Sequence, residues 1–127
     1  MKKLLAIVLA AVMAFGVFAF TGCSDKTGKS DFKVGAILIG DENEGYTYAH
    51  IQGIEAAKKA CNLSDEQIVY KYIVPENEKC YEAAIDLIDQ GCKLIIANSF
   101  GHESYLIRAA GEHPDVVFCH ATGQTAA

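Results

Sequence analysis

Three short stretches carry most of the side chains able to do chemistry: "GDENEGYTY" from Gly40 to Tyr48, "NSFGHE" from Asn98 to Glu103, and "HATG" from His120 to Gly123. Asp41, Glu42, Asn43 and Asn98 exchange hydrogen bonds with hydroxyls and ring nitrogens. Tyr46, Tyr48 and Phe100 offer flat faces for stacking. Acids, amides and aromatics together suit a polar, uncharged, ring-bearing solute such as a nucleoside. They suit a phosphate poorly. No lysine or arginine falls in these stretches, and "GDENEG" is no phosphate-binding glycine motif.

Each group also has a plainer reading. Asp41 and Asn43 fit turn or cap positions. Tyr46 and Tyr48 fit the rim of a core, and Ser99-Phe100-Gly101 fits a tight strand-to-helix turn. Ser99 with His102 or His120 as base sketches a hydrolase, yet the chain has no G-x-S-x-G elbow. His102 and His120 as a metal pair lack a defined spacing. A binding role is therefore expected rather than an enzyme, with no cofactor or metal.

The elements that must position these groups follow from periodicity. Phe32 to Gly40 is a continuous apolar run, as in a strand buried on both faces. Tyr46 to Asn62 reads as a helix, with Ile51, Ile54 and Ala57 or Lys58 at three- and four-residue spacing. Gln67 to Val74 is β-branched and aromatic, a second strand stopped by Pro75. Asn77 to Gly91 is a second helix with Asn77 as N-cap, Gly91 just past its end, and Ala84, Leu87 and Ile88 facing inward. A strand at Lys93–Ala97, a helix from His102 to His113-Pro114, and a strand at Val116–Cys119 complete the series. Strands alternating with helices make an α/β fold with a doubly wound parallel sheet. The expected strand order is 2-1-3-4. Ligands in such sheets bind beyond the carboxyl ends of the strands, where the strand order reverses. That places the three stretches around one crevice between the first and third strands. Helix N-termini near Tyr46 and Gly101 would aim N–H groups at it.

The 127 residues suggest one domain. The net charge of −5 comes from 11 Lys and Arg against 16 Asp and Glu, with two of the basic residues, Lys2 and Lys3, at the extreme N-terminus. An acidic surface repels phosphate backbones, so nucleic acid is not an expected partner. Leu4 to Phe20 is apolar and uncharged, and Thr21-Gly22-Cys23 places small residues before a cysteine. Residues 1–22 read as a signal peptide, and residues 23–32 as a polar tether. A membrane-spanning anchor is the alternative. Residues 33–127 form the folded part. Four strands and three helices leave one face or edge of the sheet short of cover. The folded part is therefore expected to be a truncated lobe, with a complete minimal domain as the alternative. Cys61, Cys80, Cys92 and Cys119 form no CxxC pair and are expected as buried free thiols.

Ala19-Phe20-Thr21-Gly22-Cys23 resembles a bacterial lipoprotein signal, which implies lipidation at Cys23. The stretches "KVGAILIGDENEGYTYAHIQGIEAAKK", "VPENEKCYEAAIDLIDQGCKLIIANSFGHESY" and "PDVVFCHATG" resemble the basic membrane protein (PnrA-like) family of ABC-transporter substrate-binding lipoproteins. The resemblance covers nearly all of Phe32 to Gly123. It implies a type I periplasmic-binding-protein-like fold, in which two lobes clamp a solute, with purine nucleosides bound by characterised members. It also implies ABC permease subunits as partners and a lipid anchor on the extracytoplasmic face of the cell membrane. Asp41 stands near the family's acidic position, and Tyr46-Thr47 stands where Phe-Asn is common. Asn98, Ser99, Phe100 and Gly101 occupy its small-aromatic-glycine turn. His120 falls where many members end the fourth strand with Asp. A remnant, sensor or interaction lipoprotein without a transport role is the alternative.

Overall fold

The computed structural model describes residues 31–125. The leader, the lipidation motif at Cys23 and most of the tether lie outside the described residues. The element order is β1 (Lys33–Ile37), α1 (Gly45–Ala60), β2 (Ile68–Lys71), α2 (Glu78–Asp89), β3 (Cys92–Ala97), α3 (Glu103–Glu112) and β4 (Val117–His120). Short 3-10 turns at Asp65–Gln67 and Phe100–His102 precede β2 and α3. The four strands form one parallel sheet in the order β2-β1-β3-β4, the expected doubly wound arrangement.

β1 is central, and Val34, Ala36 and Ile37 are all buried. Its neighbours are in register from Val34 opposite Ile68 and Leu94 to Ile37 opposite Lys71 and Ala97. Successive side chains on a strand point to opposite faces, so the sheet builds two different layers. On one face, Ile37, Ile95 and Ala97 pack against Cys80, Ala84 and Leu87 of α2 and Leu106 and Ala109 of α3. Gly35 allows this closeness, because a Cβ there would lie 2.7 Å from a Leu87 methyl. Burying a leucine fully contributes about 1.5–3 kcal/mol, and Leu87 is fully buried.

Among the described residues the other face is covered by α1 alone, and Thr47 is the only residue of that helix that is fully buried. An apolar groove of about 450 Å³ runs between it and the sheet, lined in part by Val34, Ile54, Ile68, Leu94 and Ile96. Ile51 and Ile54, expected as the inward stripe of this helix, are only half-buried.

The helix ends follow their sequence signals. Asn77 Oδ1 accepts from Lys79 N at 3.0 Å and caps α2. Gly91 takes φ +87 just past the end of α2, the left-handed position that favours glycine. Several boundaries depart from expectation. β1 ends at Ile37 and β2 at Lys71, because the chain turns at Tyr72 and Ile73. α3 begins at Glu103, since Phe100–His102 form a 3-10 turn. β4 is shifted one residue, to Val117–His120.

The cysteine expectation holds for Cys80 and Cys92, which are buried and free, and fails for Cys61 and Cys119, which are exposed and free. Cys61 sits past the last turn of α1, at its open end. Cys119 is opposite Ile96, on the half of the sheet face that α1 does not cover. Burial pushes the Cys80 thiol up to about 12, which holds it in the neutral form.

Candidate functional site

The carboxyl ends of β1, β2, β3 and β4 bring four loops to one end of the sheet. The first loop is ordered by its own acids. Asp41 Oδ1 accepts from Asn43 N at 2.9 Å, an Asx turn. Glu44 is the N-cap of α1, and its carboxylate accepts from Tyr46 N at 2.8 Å and Thr47 N at 2.7 Å. Those two hydrogen bonds, that from Thr47 first, hold the Glu44 carboxyl below the usual carboxylate range.

Asn98 joins the first loop to the third. It is 1 % exposed. Its Oδ1 accepts from Ile39 N at 3.0 Å, and its Nδ2 donates to Thr47 Oγ1 at 3.5 Å. Thr47, also fully buried, accepts from Gly40 N at 3.2 Å. The Tyr46 hydroxyl donates to the Asn98 carbonyl, and the Tyr46 ring meets His50 edge-on, with centroids 4.7 Å apart. Asn98 and Thr47 therefore tie the first and third loops together, with their polar atoms committed to the chain. Glu42, Asn43 and Phe100 stand exposed around them, together with parts of Tyr46 and Tyr48.

The third loop is held from the side by Glu76, a residue the sequence reading did not single out. Its carboxylate accepts from the Ser99 hydroxyl and from Gly101 N at 2.8 Å. The Ser99 contact first, then the Gly101 amide, lowers the Glu76 pKa. Gly101 must be glycine for this approach, because a Cβ would lie 2.6 Å from the Glu76 carboxyl carbon. Glu103 does the same for the fourth loop, accepting from Gln124 N and Thr125 N at 2.6 Å each. The N–H groups expected to face a ligand at Tyr46 and Gly101 are thus occupied by carboxylates of the chain itself.

His120 Nε2 lies 2.6 Å from Ser99 O, and His102 Nε2 lies 2.9 Å from Val74 O. A carbonyl only accepts, so each Nε2 carries a proton and donates it. Both Nδ1 atoms are buried without a partner. Neither histidine hydrogen-bonds the Ser99 hydroxyl, which donates to Glu76 instead, so the hydrolase sketch lacks its base. Among the described residues, no group of three or more His, Cys, Asp and Glu could hold a metal.

Burial is the first cause that lowers the His102 pKa, against the opposing pull of the Val74 carbonyl and Glu76. The unfolded chain takes up a proton near pH 6.5, while the folded chain resists until lower pH. Protons therefore favour unfolding. The contribution is complete above about pH 6.5 and is lost as pH falls toward the folded value. The lowered carboxylates act in a lower window, from their ordinary value of 4.5 downward. Melting curves of the wild type should show Tm falling between about pH 6.5 and 5. In His102→Gln, whose amide nitrogen still reaches Val74, that slope should disappear. Identical slopes would show that the ring is not buried neutral.

No family model matches the chain. Over 94 residues it is 33% identical to a purine-binding protein of Brucella abortus (strain 2308), covering 72% of this chain and 26% of that protein. The chain thus spans about a quarter of the length of the curated relative it matches. An ABC transporter solute-binding protein from Conexibacter woesei superposes with a TM-score of 0.57 at 20% identity, over 68% of this chain and 28% of that one. A transcriptional activator of the comK gene from Bacillus halodurans gives a TM-score of 0.59 at 20% identity, over 69% and 29%. The fold is that of periplasmic-binding-protein-like α/β domains. The sequence likeness to a purine-binding protein and the fold likeness to a solute-binding protein together support a relationship to that class.

Proposed function

We propose that the chain provides a lobe of a solute-binding protein serving an ABC importer, of the basic membrane protein (PnrA-like) type. Its solute would be a nucleoside or a related uncharged ring compound. The observation that carries this reading is the rim itself. Exposed aromatics and the Asn43 amide surround the strand-order reversal, while Glu44 and Glu76 occupy the loop amides that would otherwise be open to a phosphate. The similarity to a purine-binding protein supports the same solute class. Permease subunits would be the protein partners, and a lipid on Cys23 would hold the protein at the extracytoplasmic face.

Affinity in two-lobed binders comes from closing both walls on the solute and excluding water. One wall supplies only part of the contacts, so the 127-residue chain should bind adenosine weakly, at about 1 mM. Titrating the ¹⁵N-labelled chain with adenosine should shift amide resonances at 41–48 and 98–101. Adenosine 5′-monophosphate should shift them less at equal concentration, because the acidic rim repels its charge. Equal or tighter binding of the monophosphate would remove the uncharged-solute reading. Submicromolar adenosine binding would show that no second wall is needed.

A further inference from the structure

Outside glycine, two described residues have positive φ: Asn62 at 54° and Ile73 at 55°. Asn62 follows the end of α1, where asparagine commonly takes this conformation. Ile73 is β-branched, a residue type for which it is an outlier.

The backbone has a local reason for the conformation. Leu38 N donates to Lys71 O, Leu38 O accepts from Val74 N, and Ile73 N donates to Gly40 O. An extra residue is thus accommodated beside β1, as in a bulge. Val74 turns into the core at 7 % exposure, and Ile73 is thrown outward at 67 %. This accounts for the backbone conformation and leaves the residue type unexplained. Glycine or asparagine would satisfy it without the steric penalty. An isoleucine so exposed returns little to the fold, and strain of this kind collects at functional positions.

Its location fits such a use. Ile73 is hydrogen-bonded to Gly40, next to Asp41. Tyr72 beside it is 41 % exposed, and its ring stacks on Tyr70 with centroids 5.4 Å apart. Burial first, and then the charge of Glu42, raises the pKa of the Tyr72 hydroxyl, and the Ile73–Gly40 hydrogen bond places the turn at Tyr72 and Ile73 beside the start of the first loop. Tyr46 and Phe100 supply exposed aromatic surface from the first and third loops.

We propose that Ile73 and Tyr72 form a further wall of the crevice, with Ile73 contacting the apolar face of the solute's ring. This rests on the solute-binding reading above. The test uses the 127-residue chain, adenosine as the probe and the variants Ile73→Gly and Ile73→Asn, which both tolerate the left-handed conformation. Loss of the isoleucine contact should weaken adenosine binding about fivefold, while Tm stays equal or rises. In the wild type, the Ile73 δ1-methyl resonance should move with adenosine. Resonances at 41–48 and 98–101 that still move, with unchanged affinity in both variants, would overturn the inference and leave the solute reading standing. A fall in Tm together with affinity would assign Ile73 a purely structural role and overturn it too. If adenosine moves no resonance of the wild type, both readings fall.

Discussion

Asn98→Ala should destabilise the domain by about 2 kcal/mol and lower Tm by on the order of 10 °C. The substitution leaves Ile39 N–H without the acceptor it now has at 3.0 Å, and an unpaired donor of this kind costs about 1–3 kcal/mol. It also removes the amide that reaches Thr47 Oγ1 and opens a small void at a site that is 1 % exposed. Ser99→Ala, one residue on, loses a single exposed hydrogen bond to Glu76. That change should stay within about 0.5 kcal/mol. Thermal denaturation of both variants separates the two roles. Similar, small shifts would mean that Asn98 is not the tie between the loops. Because the same amide fixes both loops, Asn98→Ala should also broaden or shift amide resonances across 41–48.

The second large effect concerns the N-terminus and is all-or-none. If Cys23 is lipidated, the wild type should incorporate labelled fatty acid, and its mature N-terminus should be residue 23. Cys23→Ser should incorporate none and keep its leader. Each buried methylene contributes about 0.8 kcal/mol, so one acyl chain holds a protein only marginally, whereas two give stable anchoring. A wild type without fatty acid that retains Met1 would assign membrane attachment to the Leu4–Phe20 segment instead.

The fold was legible because parallel strands buried on both faces read as unbroken apolar runs, and β1 does so. Asn77 and Gly91 marked the ends of α2 through backbone demands that few other residues meet. That the first and third loops lie side by side followed from strand order alone. What periodicity could not show was which polar groups the chain would use on itself. Asn98 and Thr47, read as ligand-binding residues, are buried and hydrogen-bonded within the chain. Glu44 and Glu76 were not singled out, yet they hold the loops: Glu44 caps amides two and three residues on, whereas the partners of Glu76 come close only after folding. Tyr72 and Ile73 matched a strand by residue type. A single left-handed residue ended that strand, and no alternation pattern encodes it. Cys61 and Cys119 were misplaced for a related reason: a residue's element is legible from sequence, but whether another layer covers it is not.

The carboxylates seated on the loop amides also bear on how a solute would arrive. A crevice with free helix N-termini or basic side chains draws charged ligands in by its field, and the capture rate then falls with added salt. Here the fields of the amides are answered locally by Glu44 and Glu76. An uncharged solute would reach this rim by diffusion and orientation alone, so changes in ionic strength would leave its rate of capture nearly constant.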